Sequence, residues 1–296
     1  MFRLRSFVSV LLSAALLLLL QSCSSPSLFI ANTLAELDDY RLHTDITYGN
    51  LPEQRLDLYI PANNSYKVKS PPVVVFFYGG CWGACLSHFK ADYAFVAQAF
   101  TTLGYIVVIA DYRHYPQALY GDIMHDAACA ISWVQQHSAE YGGDSTRIVL
   151  AGHSAGAHMA VMLTLDESRL PANTRKMIKG FIGFAGPYDF LPFTEEYQPV
   201  LFGPESDYPK SQPVNYVDGN EPPLLLLYGN DDTRVKPANI EGLTRVALQA
   251  GADVEPHRYD GIDHTGIIAA LSRPLRNSRP VMGDIRRFLQ RVAPIQ

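Results

Sequence analysis

The sequence predicts an α/β protein built on a mostly parallel, doubly wound sheet of eight strands flanked by helices. Three observations predict it. Short apolar runs alternate with helix-patterned segments along most of the chain, the rhythm of strand–helix–strand units. The central runs, such as Val73-Val74-Val75-Phe76-Phe77 and Leu224-Leu225-Leu226-Leu227, are apolar at successive positions, as strands covered on both faces must be. Glycines stand where the helical patterns stop, at Gly104, Gly142-Gly143 and Gly251, the residue type that most readily takes the left-handed turn closing a helix.

The strands are expected over 45–48, 55–60, 73–78, 106–111, 147–151, 180–185, 224–228 and 255–259. The first two are amphipathic and adjacent, so they should pair antiparallel. Helices are expected over 91–103, 121–141, 155–166, 236–250 and 280–292, with Pro237 in the first turn of the fourth. One stretch breaks the alternation. Residues 187–217 hold six prolines and seven aromatic residues, too long for a plain connection and too aromatic for a disordered one. A lid-like insertion over a binding site is the expectation.

The chain has 296 residues, 48% of them hydrophobic and 18% charged, a balance that suits a globular core and argues against disorder. Its formal net charge is -5 and no basic run or stripe occurs, which argues against a nucleic-acid partner. Arg3 and Arg5 precede an apolar run over 7–20, the layout of a secretory signal and too short for a span of about 20 residues. Leu20-Gln21-Ser22-Cys23 resembles the bacterial lipobox. That resemblance implies cleavage after Ser22, lipid on Cys23 and, with Ser24 rather than Asp next, the outer membrane. Residues 1–22 are thus expected as a signal peptide, 23–40 as a lipidated start and polar tether, and 41–296 as one domain. The membrane would be a partner only through that lipid.

Of the four cysteines, Cys81 and Cys85 are close enough to bridge if the local turn permits. Cys129 falls in a helical apolar pattern and reads as a small buried hydrophobe. No spacing suggests zinc, and no metal or cofactor is expected.

The strongest chemical signal is Gly152-His153-Ser154-Ala155-Gly156, between a predicted strand and a predicted helix. That is the context of the G-x-S-x-G nucleophile elbow, where a sharp turn exposes the serine hydroxyl at the carboxyl end of a sheet. The Ala155 N–H then points toward the oxyanion. Tyr78-Gly79-Gly80-Cys81-Trp82 follows another buried strand. The absent Cβ atoms of Gly79 and Gly80 let backbone N–H groups approach a substrate carbonyl. A serine hydroxyl needs a base, and His158, His257 and His264 follow Ser154 in sequence. Only His264 lies in the loop after the last strand, where a base can overhang the serine. The acid should come from the loop after the strand before it, which offers Asp231 and Asp232, with Asp189 a weaker rival.

Together these motifs resemble the α/β-hydrolase esterases grouped with hormone-sensitive lipase and kynurenine formamidase. Tyr78-Gly79-Gly80-Cys81-Trp82 is similar to their His-Gly-Gly-x-Trp loop, with Tyr78 in place of the usual histidine, a loop organiser. Gly229-Asn230-Asp231-Asp232-Thr233-Arg234-Val235 resembles their Gly-x-x-Asp-x-x-Val, which selects Asp232 as the acid. Asp111-Tyr112-Arg113, Gly143-Asp144 and Pro213-Val214-Asn215-Tyr216 extend the likeness over residues 45 to 290. The resemblance implies an α/β-hydrolase fold and a small or short-chain acyl ester as substrate, cleaved by Ser154, His264 and Asp232. Asp111, Arg113 and Asp126 are expected to hold loops by ion pairs. Amide cleavage of the arylformamidase kind, and release of feruloyl or acetyl groups from polysaccharide, use the same site. A surface binding protein that keeps the scaffold without turnover is the reading of another class.

Overall fold

The computed structural model describes residues 26–62, 70–85 and 88–295. The expected signal peptide and Cys23 lie outside the described residues. All eight expected strands are present: β1 (Tyr40–Thr47), β2 (Arg55–Pro61), β3 (Pro72–Phe77), β4 (Ile106–Ala110), β5 (Asp144–His153), β6 (Ile178–Phe184), β7 (Leu224–Gly229) and β8 (Val254–Tyr259). They form one sheet in the order β1-β2-β4-β3-β5-β6-β7-β8. β1 pairs antiparallel with β2 and β2 with β4. Every other pairing is parallel.

The strand interiors explain the order. β3, β4 and β7 are buried at every position, because their unbroken apolar runs have no polar face to offer water. β1 and β8 carry alternating polar residues and stand at the edges, partly exposed.

Helices flank both faces: α1 (Pro26–Ala35), α2 (Ala94–Thr101), α3 (Tyr120–His137), α4 (Ala155–Leu165), α5 (Ala238–Ala250) and α6 (Val281–Val292). Two glycines show the double winding. Gly152 of β5 pairs with Gly183 of β6, so the two share a face, and a Cβ on Gly152 would strike the backbone of Gly156 in α4. Gly180 lies three residues before Gly183, hence on the other face, where a Cβ would meet Phe288 of α6. The α4 face and the α6 face are opposite sides of one sheet.

Three expectations need amendment. The stretch expected as a tether is helical from Pro26 to Ala35. Asn32 binds it to the domain: its Nδ2 donates to the Asp92 carbonyl at 2.9 Å, and its Oδ1 accepts from the Phe95 N–H at 3.1 Å, satisfying one of the free donors at the start of α2. The helix expected over 121–141 ends as an α-helix at His137 and closes with a 3₁₀ turn, Ser138–Tyr141, before Gly142 at φ 84°. Cys129 is half-buried, with its Sγ 3.5 Å from His125 Nε2, since it faces the outer edge of α3.

Close packing of α4 on the sheet depends on Gly156, where a Cβ would lie 2.0 Å from the Phe77 carbonyl oxygen. Gly156→Ala is expected to lower the unfolding free energy by on the order of 3 kcal/mol in urea denaturation. A loss under about 1 kcal/mol would contradict this approach.

Candidate active site

Ser154 sits between the end of β5 and the start of α4 with φ 54° and ψ -122°, a conformation rare outside glycine. Its N–H donates to the Phe184 carbonyl of β6 at 2.9 Å, and its own carbonyl accepts the His158 N–H at 3.1 Å. The strand therefore releases the serine and the helix takes it up within one residue. Gly152 and Gly156 allow the sharp return, because a Cβ on Gly152 would lie 2.3 Å from the Gly156 carbonyl oxygen.

The Asp232 and His264 side chains, far apart in sequence, meet above the carboxyl ends of β7 and β8. Asp232 Oδ1 accepts the N–H groups of Arg234 and Val235 at 2.8 and 3.0 Å. Oδ2 is thereby aimed at His264 Nδ1, 2.7 Å away. Both residues are buried. With Nδ1 as donor to the carboxylate, Nε2 is the basic nitrogen of His264. Asp231 is exposed and its N–H goes to the Ile262 carbonyl. Asp189 packs its carboxyl over Gly242 and its N–H on Asn239, so neither takes the place of Asp232. His158 is buried, its Nε2 donating to the Ser211 carbonyl at 2.7 Å. His257 lies 3.8 Å from Asp284.

One site residue had no place in the sequence reading. His153, just before the serine, donates from Nε2 to the His264 carbonyl at 2.9 Å, and the two rings lie 4.9 Å apart. Burial, and then the neighbouring His264, push its pKa down to about 3. The imidazole beside His264 therefore stays neutral. The signal available in sequence was only a histidine inside the elbow motif.

The loop after β3 is held by Tyr78. Its hydroxyl donates to Asp111 Oδ1 at 2.9 Å, and its ring stacks between Tyr93 and Tyr112 at 5.6 and 4.7 Å. The tyrosine thus ties the loop to the end of β4. Gly80 and Ala155 line the cavity beside Ser154. Gly79 does not. Its N–H faces the Tyr93 hydroxyl, and a Cβ there would come within 3.0 Å of Ser154 Cβ, so its role is to let the loop lie against the elbow. Cys81 and Cys85 are disulfide-bonded. Arg113 grips Asp126 through Nε and its backbone N–H at 2.8 and 3.0 Å, and Gln54 Nε2 reaches the same carboxylate at 2.8 Å.

Ser154 and His264 open into one cavity of about 1510 Å³. The first part of the 187–217 stretch supplies Phe190, Leu191 and Tyr197 to its wall. The later part turns inward: Phe202 is buried and stacks on Phe193 at 5.1 Å. Leu28, Ile30 and Ala31 of α1 also line the cavity.

Sheet order, elbow and the Asp232–His264 pair define an α/β-hydrolase scaffold. The chain belongs to the BD-FAE family, whose model matches residues 56–245. Among curated relatives, the isoprenylcysteine alpha-carbonyl methylesterase ICME of Arabidopsis thaliana is 30% identical over 267 residues, spanning 82% of this chain and 61% of its own length. Esterase LipC of Mycobacterium tuberculosis is 27% identical over 206 residues, 63% of this chain and 50% of its own. The chain thus spans only 50% to 61% of the length of these two relatives. The apo form of Thermogutta terrifontis esterase 2 superposes with a TM-score of 0.70 at 23% identity, covering 88% of this chain and 96% of that one. A truncated carbohydrate esterase from gut microbiota gives 0.71 at 19%, covering 86% and 98%. These structures share the fold.

Burial also lowers the His158 pKa, to about 4. The unfolded chain binds both protons near the ordinary value of 6.5, and the native protein binds neither until well below it. Stability therefore drops as pH falls through 6.5. Between pH 6.5 and pH 5 the expected loss is about 2 kcal/mol per histidine, read from urea midpoints. Equal midpoints at both pH values would refute this account.

Proposed function

We propose that the chain is a serine carboxylic ester hydrolase working through a covalent acyl-enzyme. The observation that carries this reading is the anchored Asp232–His264 pair, 2.7 Å apart, on the rim of the same cavity that exposes Ser154. Ser154 Oγ attacks the acyl carbon while His264 Nε2 takes its proton, and Asp232 steadies the imidazolium. The N–H groups of Gly80 and Ala155 hold the developing oxyanion. His264 then returns the proton to the leaving alcohol, and water repeats the sequence to free the acid. The names of the relatives, a methylesterase and an esterase, support ester chemistry. Short acyl esters fit easily. The cavity of about 1510 Å³ exceeds the roughly 300–1,000 Å³ usual for small ligands, so acyl groups well beyond acetyl also have room.

The chain from Ser24 onward holds every described residue. It is expected to hydrolyse p-nitrophenyl acetate and to be labelled at Ser154 by a fluorophosphonate. Ser154→Ala should lower kcat by roughly ten-thousand- to million-fold. No hydrolysis of any short acyl ester, together with no labelling, would favour a binding protein on a hydrolase scaffold.

We infer further, from the sequence of its first 23 residues, that the chain is exported and lipidated at Cys23. In cells fed labelled palmitate, Cys23→Ala is expected to incorporate none. Label retained by the variant would remove the anchor.

A further inference from the structure

The loop beside the elbow makes an unusual turn. Gly80, Cys81, Trp82 and Gly83 take φ values of 120°, 56°, 56° and 98°, four successive residues in the left-handed half of conformational space. Glycine accepts this freely. Cys81 and Trp82 do not, because their Cβ atoms crowd the following carbonyl. Something must hold them there.

Three backbone bonds contribute. The Gly83 and Cys85 N–H groups both donate to the Gly80 carbonyl, at 3.0 and 3.3 Å, and the Ala84 N–H donates to the Cys81 carbonyl at 3.0 Å. The Trp82 ring is buried against His158 and Phe202, with centroids at 5.2 and 5.0 Å. Across the mouth of the turn runs the Cys81–Cys85 disulfide, with Cα atoms 5.3 Å apart. Its first cysteine is itself one of the two disfavoured residues and adjoins Gly80. Both cysteines line the cavity with Gly80 and Ser154.

We propose that the Cys81–Cys85 disulfide is a positioning element of the reaction, fixing the left-handed turn that aims the Gly80 N–H at the oxyanion. The proposal rests on the reading of Ser154 and Gly80 given above. A bridge that served stability alone would lower the apparent kcat only in proportion to the folded protein lost, with the folded spectrum falling in step. A bridge that sets the aim of an oxyanion donor acts in the transition state, where the charge develops, so its loss falls on kcat.

A dithiol tests this on the folded protein. Cys85 is exposed, so the reagent can reach it. One thiolate attacks a sulfur of the bridge and forms a mixed disulfide. The second then closes the reagent into a cyclic disulfide. Two electrons and two protons pass to the protein, the S–S bond breaks and two S–H groups form. In the chain from Ser24, one thiol per molecule before treatment, Cys129, becomes three. With the bridge reduced by dithiothreitol and the excess reagent then removed by anaerobic gel filtration, because its thiolate itself cleaves p-nitrophenyl acetate, kcat on that ester is expected to fall about tenfold or more, with KM within about twofold and the near-ultraviolet circular dichroism retained. Reoxidation restores it. Cys81→Ala/Cys85→Ala should show the same lowered kcat and no response to dithiothreitol.

A reduced protein with three thiols and undiminished kcat overturns the proposal. So does a loss of kcat that appears only together with loss of the folded spectrum. An oxidised protein with no turnover and no fluorophosphonate labelling fails at the earlier reading, before the disulfide is tested.

Discussion

The serine elbow exists because three backbones meet with no side chain between them. Gly156 lets α4 touch the end of β3 at Phe77, Gly152 lets the strand fold back on that helix, and Gly79 lets the next loop lie on Ser154 Cβ. Van der Waals contact at these points leaves Ser154 nowhere to go except its unfavourable φ of 54°. Such strain is tolerated only where the surroundings over-determine the conformation. Here a parallel sheet on one side and a buried helix on the other do so. The same contact places Ala155, the first residue of α4, on the cavity wall beside Ser154.

A second layer of polar bonds refers the loops to that fixed point. Asp111, at the end of β4, receives the Tyr78 hydroxyl at 2.9 Å and the Lys90 N–H at 2.7 Å, while its carbonyl receives the Tyr48 hydroxyl. The Lys90 ammonium lies between Asp45, Asp57 and Asp111 at 2.7, 3.5 and 3.4 Å. Half-buried charges of this kind survive only in company. On the other side, His153 crosses from the elbow to the His264 carbonyl. His264 is therefore held twice, by its ring through Asp232 and by its main chain through His153.

Much of this was legible in the sequence, and the reasons differ by element. β3 and β7 announce themselves because strands buried on both faces cannot contain polar residues. Ser154 stands out because its turn requires glycine two positions away on each side. His264 follows from its place after the last strand, whereas the loop before it offers both Asp231 and Asp232, and only the resemblance to Gly-x-x-Asp-x-x-Val selects Asp232. What could not be read depends on contacts between distant segments. The salt-bridged Lys90 draws partners from three separate stretches, and ion pairs have no periodicity. α1 is short and its pattern weak, and the Asn32 bonds to the start of α2 are what make it part of the domain. Gly79 and Gly80 look equivalent in sequence. Only the position of Tyr93 separates the one that faces the cavity from the one that packs behind it.

The wall contributed by Leu28, Ile30 and Ala31 has a practical corollary for where this domain starts. The family match begins at residue 56, and a fragment cut at that boundary would keep Ser154, Asp232 and His264 while opening one side of their chamber to solvent. The homologous core and the working enclosure are different objects. The enclosure around Ser154 includes a stretch of N-terminal chain that lies before the family match.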